Sequence, residues 1–250
     1  MQAVILAAGV GQRLGDTFDH KPKCLLKFGD ASLLQRHLRI LRHYDISKII
    51  IVTGYQPGLI EEEISFSDAV DITTTVHNPN YKKGSIISML IGLEQLGIGQ
   101  DFILMDADVL YDHRIIYRLI NSKNNNCFLL DQDFKPGDEP VKLCVHNGHL
   151  VDFRKQIGKD LEFDFQGESV GFFRFSRETV TRLITQAKAY LNLGDDKQPY
   201  EECIRDLLLE HPENFAYEDI TGLPWIEIDF PEDVMRARSE ILPQITQVQM

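Results

Sequence analysis

The residues best suited to chemistry lie near the start of the chain. Ala3-Val4-Ile5-Leu6 is an apolar run that stops at Ala7-Ala8-Gly9, and Gly11, Arg13 and Lys23 follow. A buried strand that runs into a loop of small residues lets a ligand approach the backbone closely. Gly9 and Gly11 reach dihedrals closed to other residues and expose consecutive N–H groups, an arrangement that cradles phosphate oxygens. Arg13 and Lys23 add two cations, enough to hold a triphosphate. The spacing matches neither the G-x-G-x-x-G dinucleotide fingerprint nor the P-loop. A second group is Asp106-Ala107-Asp108, directly after the apolar run Phe102-Ile103-Leu104-Met105. Two carboxylates at i and i+2 where a strand leaves a sheet can coordinate a hard divalent cation, for which Mg²⁺ is the natural choice. Gly84-Ser85 opens a helical stretch and offers N–H groups and a hydroxyl to a ligand. Asp229 precedes Pro231, where capping a helix is an ordinary role. Trp225, the single tryptophan, has an indole face that can hold a quaternary ammonium, although a lone Trp is more often core.

Such groups need a scaffold that gathers strand ends. Leu33, Leu34, Leu38, Leu41 and Tyr44 fall at helical spacing, with Arg36, Arg39, Arg42 and His43 largely between them. Apolar runs predict buried strands over 49–52, 72–76 and 102–105, separated by helices over 57–64, 85–96 and 113–120; Asp112 would cap the last of these. This β-α-β-α order implies a parallel sheet covered on both faces, with ligands at the carboxyl ends of its strands. After residue 125 the pattern changes. Strands are predicted over 127–130, 141–145, 149–153 and 169–175, and Asn147-Gly148 between the second and third is a strong hairpin signal. Helices over 177–191 and 199–209 follow. The expected fold is a single α/β domain over 1–250: a three-layer α/β/α, Rossmann-like, mostly parallel mixed sheet with a small antiparallel lobe.

The bulk properties narrow the function. The chain of 250 residues has a net charge of −12; residues 1–100 are balanced, so residues 101–250 hold the whole acidic excess. That balance argues against nucleic acid or an anionic membrane as a partner. Apolar runs fall short of the ~20 residues of a membrane span, and no signal peptide is apparent, so a cytoplasmic location is expected. The four cysteines form no C-x-x-C pair and the eight histidines are dispersed, which speaks against structural zinc.

The string L-A-A-G-V-G-Q-R-L at 6–14, with K-P-K at 21–23, closely resembles the signature of the nucleotidyltransferase superfamily, which makes NDP-sugars and CDP-alcohols from a nucleoside triphosphate and a phosphorylated acceptor. The chain looks most similar to bacterial phosphocholine cytidylyltransferase-like proteins. Gly15-Asp16-Thr17 stands where sugar-1-phosphate members usually carry a proline-containing turn, and the segment Asn78 to Ser85 resembles the approach to a base-contacting helix. The resemblance implies a nucleotide-binding half over 1–125 and an acceptor-binding half over 126–250. It places Leu6, Ala7, Ala8, Gly9, Gly11, Gly84, Ser85 and Asp106 on the nucleotide, with Lys23 and Arg13 as catalytic cations on the triphosphate. Trp225 to Asp229 resembles the closing element that delivers a second metal aspartate, so Asp108 and Asp229 are the expected Mg²⁺ ligands, with Asp106 assisting or structural. Lys142, Arg154 and Lys155 could meet the acceptor phosphate, and Glu168 and Trp225 the rest of the acceptor. The implied reaction is direct displacement at the α-phosphorus of CTP, carried by positioning and charge neutralisation.

Other readings stay open at this point. CTP is not distinguished with certainty from UTP or GTP, and a sugar 1-phosphate is an alternative acceptor. The acidic second half tilts the acceptor towards an amine-bearing alcohol. A GT-A glycosyltransferase shares such a sheet and a D-x-D pair but has no need of the Gly-rich loop with Arg13 and Lys23. A non-catalytic nucleotide sensor would keep the fold and lose the chemistry. Oligomeric state is not legible.

Overall fold

The computed structural model describes residues 1–14, 20–97, 99–135, 137–246 and 248; the Gly15-Asp16-Thr17 segment lies outside them. In chain order the main elements are β1 (Gln2–Ala7), β2 (Lys27–Phe28), β3 (Ala31–Ser32), α1 (Leu33–His43), β4 (Lys48–Thr53), α2 (Pro57–Ser65), β5 (Thr73–His77), α3 (Ser85–Leu93) and β6 (Phe102–Asp106). They continue with β7 (Val109–Tyr111), α4 (Arg114–Asn121), β8 (Cys127–Asp131), β9 (Lys142–His146), β10 (His149–Arg154), β11 (Phe165–Phe175), α5 (Arg177–Asn192), α6 (Tyr200–Glu210), β12 (Ala216–Asp219), β13 (Trp225–Glu227) and α7 (Pro231–Arg236).

β1 is the centre of a parallel block, flanked by β4 on one side and β6 on the other, with β5 beyond β4. The chain therefore reverses direction of growth at β1, and the crevice beyond the carboxyl ends of β1 and β6 is a topological switch point, where open α/β sheets bind ligands. The mixed character enters at β11, which runs antiparallel to β6 through its second half and to β9 through its first. That double pairing explains why it begins at Phe165, several residues before the apolar run that predicted it. β8 and then β12 lie beyond β11.

The unbroken apolar runs read as strands because both faces are covered. On one face Ala3, Ile5, Ile49, Ile51, Ile103 and Met105 pack with α1, α2 and α4. On the other, Val4, Ile50, Val52, Phe102 and Leu104 pack with α3, α5 and α6. The alternation along β1, β4 and β6 follows the period of two that a strand imposes. Ser32 caps α1 by accepting from the Gln35 N–H at 3.0 Å. The expected hairpin forms, with β9 and β10 joined at Asn147 and Gly148, both at positive φ. All four cysteines are buried free thiols. Among the described residues no helix is long and apolar enough to cross a membrane.

Candidate active site

A cleft of about 600 Å³ opens at the carboxyl ends of β1 and β6. Of the residues singled out for the nucleotide and metal, Leu6, Ala7, Ala8, Gly9, Gly11, Arg13, Lys23, Ser85, Asp106, Asp108 and Asp229 all line it. Gly11 has φ of 69°, and a Cβ there would lie 3.0 Å from Lys23 Cγ. The left-handed turn thus lets the Lys23 stem lie against the loop. Gly9 keeps an ordinary φ and would place a Cβ in open space, so only one of the two glycines uses the conformational freedom expected of both.

Lys23 points its ammonium at Asp108 Oδ2 (3.0 Å) and Asp229 Oδ1 (2.5 Å). Burial alone would lower the Lys23 pKa, but the two carboxylates override it and hold the group well above the usual amine range. Asp108 follows β6, and β7 just beyond it pairs antiparallel with β13. The Ile228 N–H donates to the Asp108 carbonyl at 2.9 Å. This small ribbon carries Glu227 and Asp229 beside Asp108, so that carboxylate oxygens of all three lie within 4.8 Å of one another. Glu227 is open to the cleft but walled by protein elsewhere; that desolvation, with the charges of Asp108 and Asp229, pushes its carboxyl up to about 8. Capping is not what occupies Asp229. Asp233 reaches back instead, accepting from the Asp229 and Phe230 N–H groups at 3.1 and 2.8 Å, which leaves the Asp229 carboxylate to Lys23 and to Arg13 Nη1 at 3.3 Å.

Three carboxylates converging on one point form an oxygen donor set for a hard cation. The ammonium already held between two of them shows that the site stabilises positive charge, so the residues fit a divalent ion. Glu227 was not singled out from sequence. The signal was present: in the extended string Trp225-Ile226-Glu227-Ile228-Asp229, residues 225, 227 and 229 share a face.

Asp106 behaves differently from Asp108. Its Oδ2 accepts from the Tyr200 hydroxyl at 2.6 Å, and burial followed by the Asp108 charge keeps its carboxyl well above the usual range. Gly171 in β11, at φ +78°, brings its backbone so near that a Cβ would fall 2.3 Å from Asp106 Oδ2. Gly171→Ala is therefore expected to cost about 1–3 kcal/mol, the scale of a forced positive φ, in urea unfolding, and to displace Asp106.

Gly84 is the first correction. A Cβ on it would meet the Gln198 carbonyl at 2.2 Å, and the N–H groups of Gly84 and Ile86 donate to the Asp196 and Gln198 carbonyls at 2.8 and 3.3 Å. The first turn of α3 is thus satisfied by the chain before α6, and its glycine admits that chain rather than a ligand. Ser85 does line the cleft, with its Oγ accepting from the Tyr200 N–H at 3.0 Å. Tyr81 and Lys82, from the segment expected to approach a base-contacting helix, also line the cleft, as does Glu201, which was not anticipated.

A second cleft of about 410 Å³ adjoins the first and shares Glu227 and Asp229 with it. Glu168 and Trp225 both line it, as does Asp131. The Trp225 indole N–H donates to Asp131 Oδ2 at 2.7 Å. Burial and the nearby Asp131 charge push the Glu168 carboxyl up to about 7. Lys142 is the second correction. Its buried ammonium donates to the carbonyls of Gly137, Pro140 and Lys155 at 2.7, 3.3 and 2.6 Å. A buried ammonium must satisfy its donors, and these three carbonyls do so, tying the loop before β9 to the chain just after β10 instead of facing an acceptor. Arg154 is paired to both oxygens of Glu202. Lys155 approaches Glu139 Oε2 at 3.3 Å, the same oxygen that Arg13 Nη1 reaches at 3.1 Å.

Comparison with known proteins adds an independent line. Residues 3–163 match the family described as MobA-like NTP transferase domain. Over 256 residues the chain is 25% identical to the CTP:phosphoglutamine cytidylyltransferase of Campylobacter jejuni, covering 94% of this chain and 98% of that protein. It is 26% identical over 246 residues to the bifunctional IPC transferase and DIPP synthase of Rubrobacter xylanophilus, where 96% of this chain spans only 52% of the relative. Among solved structures, the CTP:phosphocholine cytidylyltransferase of Streptococcus pneumoniae superposes with a TM-score of 0.72 at 18% identity, over 95% of this chain and 97% of that one. That last likeness is one of fold.

Proposed function

Because the chain belongs to the MobA-like NTP transferase domain family and is a nucleotidyltransferase, we propose that it moves a cytidylyl group from CTP to the phosphate of an amine-bearing phosphorylated alcohol. The observation that carries this reading is the meeting of the Arg13 and Lys23 loop with Asp108, Glu227 and Asp229 in one cleft that opens into a second, acidic one. CTP is favoured because the Campylobacter jejuni relative, which spans the chain, is named for CTP.

The acceptor's phosphate monoester is already anionic near neutral pH, so no protein nucleophile or strong base is required. One of its oxygens forms a bond to the α-phosphorus, the bond from that phosphorus to the β-phosphate oxygen breaks, and pyrophosphate leaves with the electron pair. The backbone of Leu6 to Gly11 would hold base, ribose and phosphates, and Lys23 and Arg13 would neutralise charge on the triphosphate. Mg²⁺ held by Asp108, Glu227 and Asp229 would supply Lewis-acid neutralisation of phosphate charge. In the second cleft Asp131 and Glu168 beside the Trp225 indole suit a cationic amine.

The test is pyrophosphate release with CTP, UTP, GTP and ATP, each against phosphocholine, phosphoethanolamine, aminoethylphosphonate, inositol phosphate and glucose 1-phosphate, with products identified by mass. CTP with an amine-bearing acceptor is expected to turn over; turnover only with glucose 1-phosphate would move the protein to sugar-nucleotide synthesis. Ionised Glu168 attracts the amine and neutral Glu168 does not. With its carboxyl at about 7, kcat/KM for such an acceptor should fall as pH drops below that value, and Glu168→Gln should flatten that limb of the profile.

A further inference from the structure

Glu139 lies on the segment between β8 and β9, on the wall of the second cleft. Its Oε2 receives two cations at once, Arg13 Nη1 at 3.1 Å and Lys155 Nζ at 3.3 Å. The two come from distant parts of the chain: Arg13 from the loop after β1, on the wall of the first cleft, and Lys155 from just after β10, reaching Glu139 on the wall of the second. Arg13 also touches Asp229, at 3.3 Å. One anionic oxygen is thus held where the two clefts meet, within one side chain of the converging carboxylates. The acceptor's phosphate must occupy such a junction to reach the α-phosphorus while the rest of the acceptor fills the second cleft.

The geometry points to Arg13 and Lys155 as a single anion subsite for the acceptor phosphate, with Glu139 as an internal occupant that the acceptor displaces. A carboxylate and a phosphate monoester present the same kind of oxygen to these donors, and the dianion is the stronger partner. The exchange is easy because the pairs are open to water: the side chains of Arg13, Glu139 and Lys155 are 50%, 53% and 47% exposed, and exposed ion pairs are weak. Arg13 then exchanges Glu139 for the acceptor phosphate through Nη1, with its other guanidinium N–H groups left to face the triphosphate, and the unliganded protein is kept in a self-satisfied state. This assignment rests on the nucleotidyl-transfer reading and adds to it the place of the attacking group.

The experiment is a calorimetric titration of inorganic phosphate into the nucleotide-free protein. Glu139→Gln is expected to bind phosphate about two- to sixfold more tightly than the wild type, the factor for a site whose internal competitor is held by weak, exposed pairs. Adding Lys155→Met to Glu139→Gln should remove the gain. A gain cannot come from damaged folding. Unchanged or weaker phosphate binding in Glu139→Gln overturns the inference, as does a gain that survives Lys155→Met. Because the titration needs no turnover, it separates the two readings. A gain without nucleotidyl transfer to any acceptor would keep the subsite and reject the reaction; transfer with an unaltered phosphate affinity and acceptor KM in Glu139→Gln would do the reverse.

Discussion

Lys23→Ala lowers kcat/KM for nucleotidyl transfer by about 10²–10³-fold, the loss typical when one preorganised charge donor is taken from a site, while the protein still folds. The expectation follows from where the ammonium sits. It is held against the Gly11 turn and bridges Asp108 and Asp229, so it is poised within the cleft before any triphosphate arrives. Its loss leaves two carboxylates without their cation, but their side chains remain 22% and 23% exposed and water can rehydrate them. The cost to folding is therefore on the order of 1.5–3 kcal/mol, the range for hydrogen bonds to charged groups, read as a shift in the urea midpoint. A second consequence separates this role from a structural one. Without the ammonium, the carboxylates of the nucleotide-free protein should take up Mn²⁺ more tightly, as followed by electron paramagnetic resonance, even as turnover collapses. Near-normal turnover in Lys23→Ala would sink the assignment.

The parts of the site that could be read from sequence are those encoded in a short string. The small-residue loop after β1, the D-x-D after β6 and the Asp229 element each announce themselves locally, and the cleft gathers all three. Elements were legible for the same reason: β1, β4 and β6 are runs whose two faces are both buried, and the Asn147-Gly148 hairpin is specified by its turn. Glu227 needed more. Its nearness to Asp108 depends on the pairing of β7 with β13, two three-residue strands too short to show periodicity and far apart in the chain. Lys142 and Lys155 look alike in sequence, and only burial of the first among loop carbonyls distinguishes them. Gly84 failed for a similar reason, because the chain that approaches it comes from just before α6. Local chemistry was visible, and long-range partners were not.

The sharpest division within the site falls between the two aspartates of the D-x-D pair. Asp108→Asn and Asp229→Asn should each lower turnover by about 10²–10³-fold, since several kcal/mol of charge stabilisation is at stake and every 1.36 kcal/mol is a factor of ten. Both should also weaken Mn²⁺ binding, because each removes an anionic oxygen from a set of three. Asp106→Asn should cost only about tenfold, the scale of a group that acts through its neighbours. The difference lies in what each side chain already does. Asp106 accepts from the Tyr200 hydroxyl and packs against Gly171, and an amide oxygen can keep that hydrogen bond. Asp108 faces Lys23, and its charge has no neutral substitute. Equal losses of Mn²⁺ affinity in Asp106→Asn and Asp108→Asn would mean that the two aspartates bind the ion as a pair and that the Tyr200 contact gives way when it does. A loss confined to Asp108→Asn and Asp229→Asn would place the ion on the far side of the cleft from Tyr200, where the β7 and β13 ribbon, and not the end of β6 alone, sets its position.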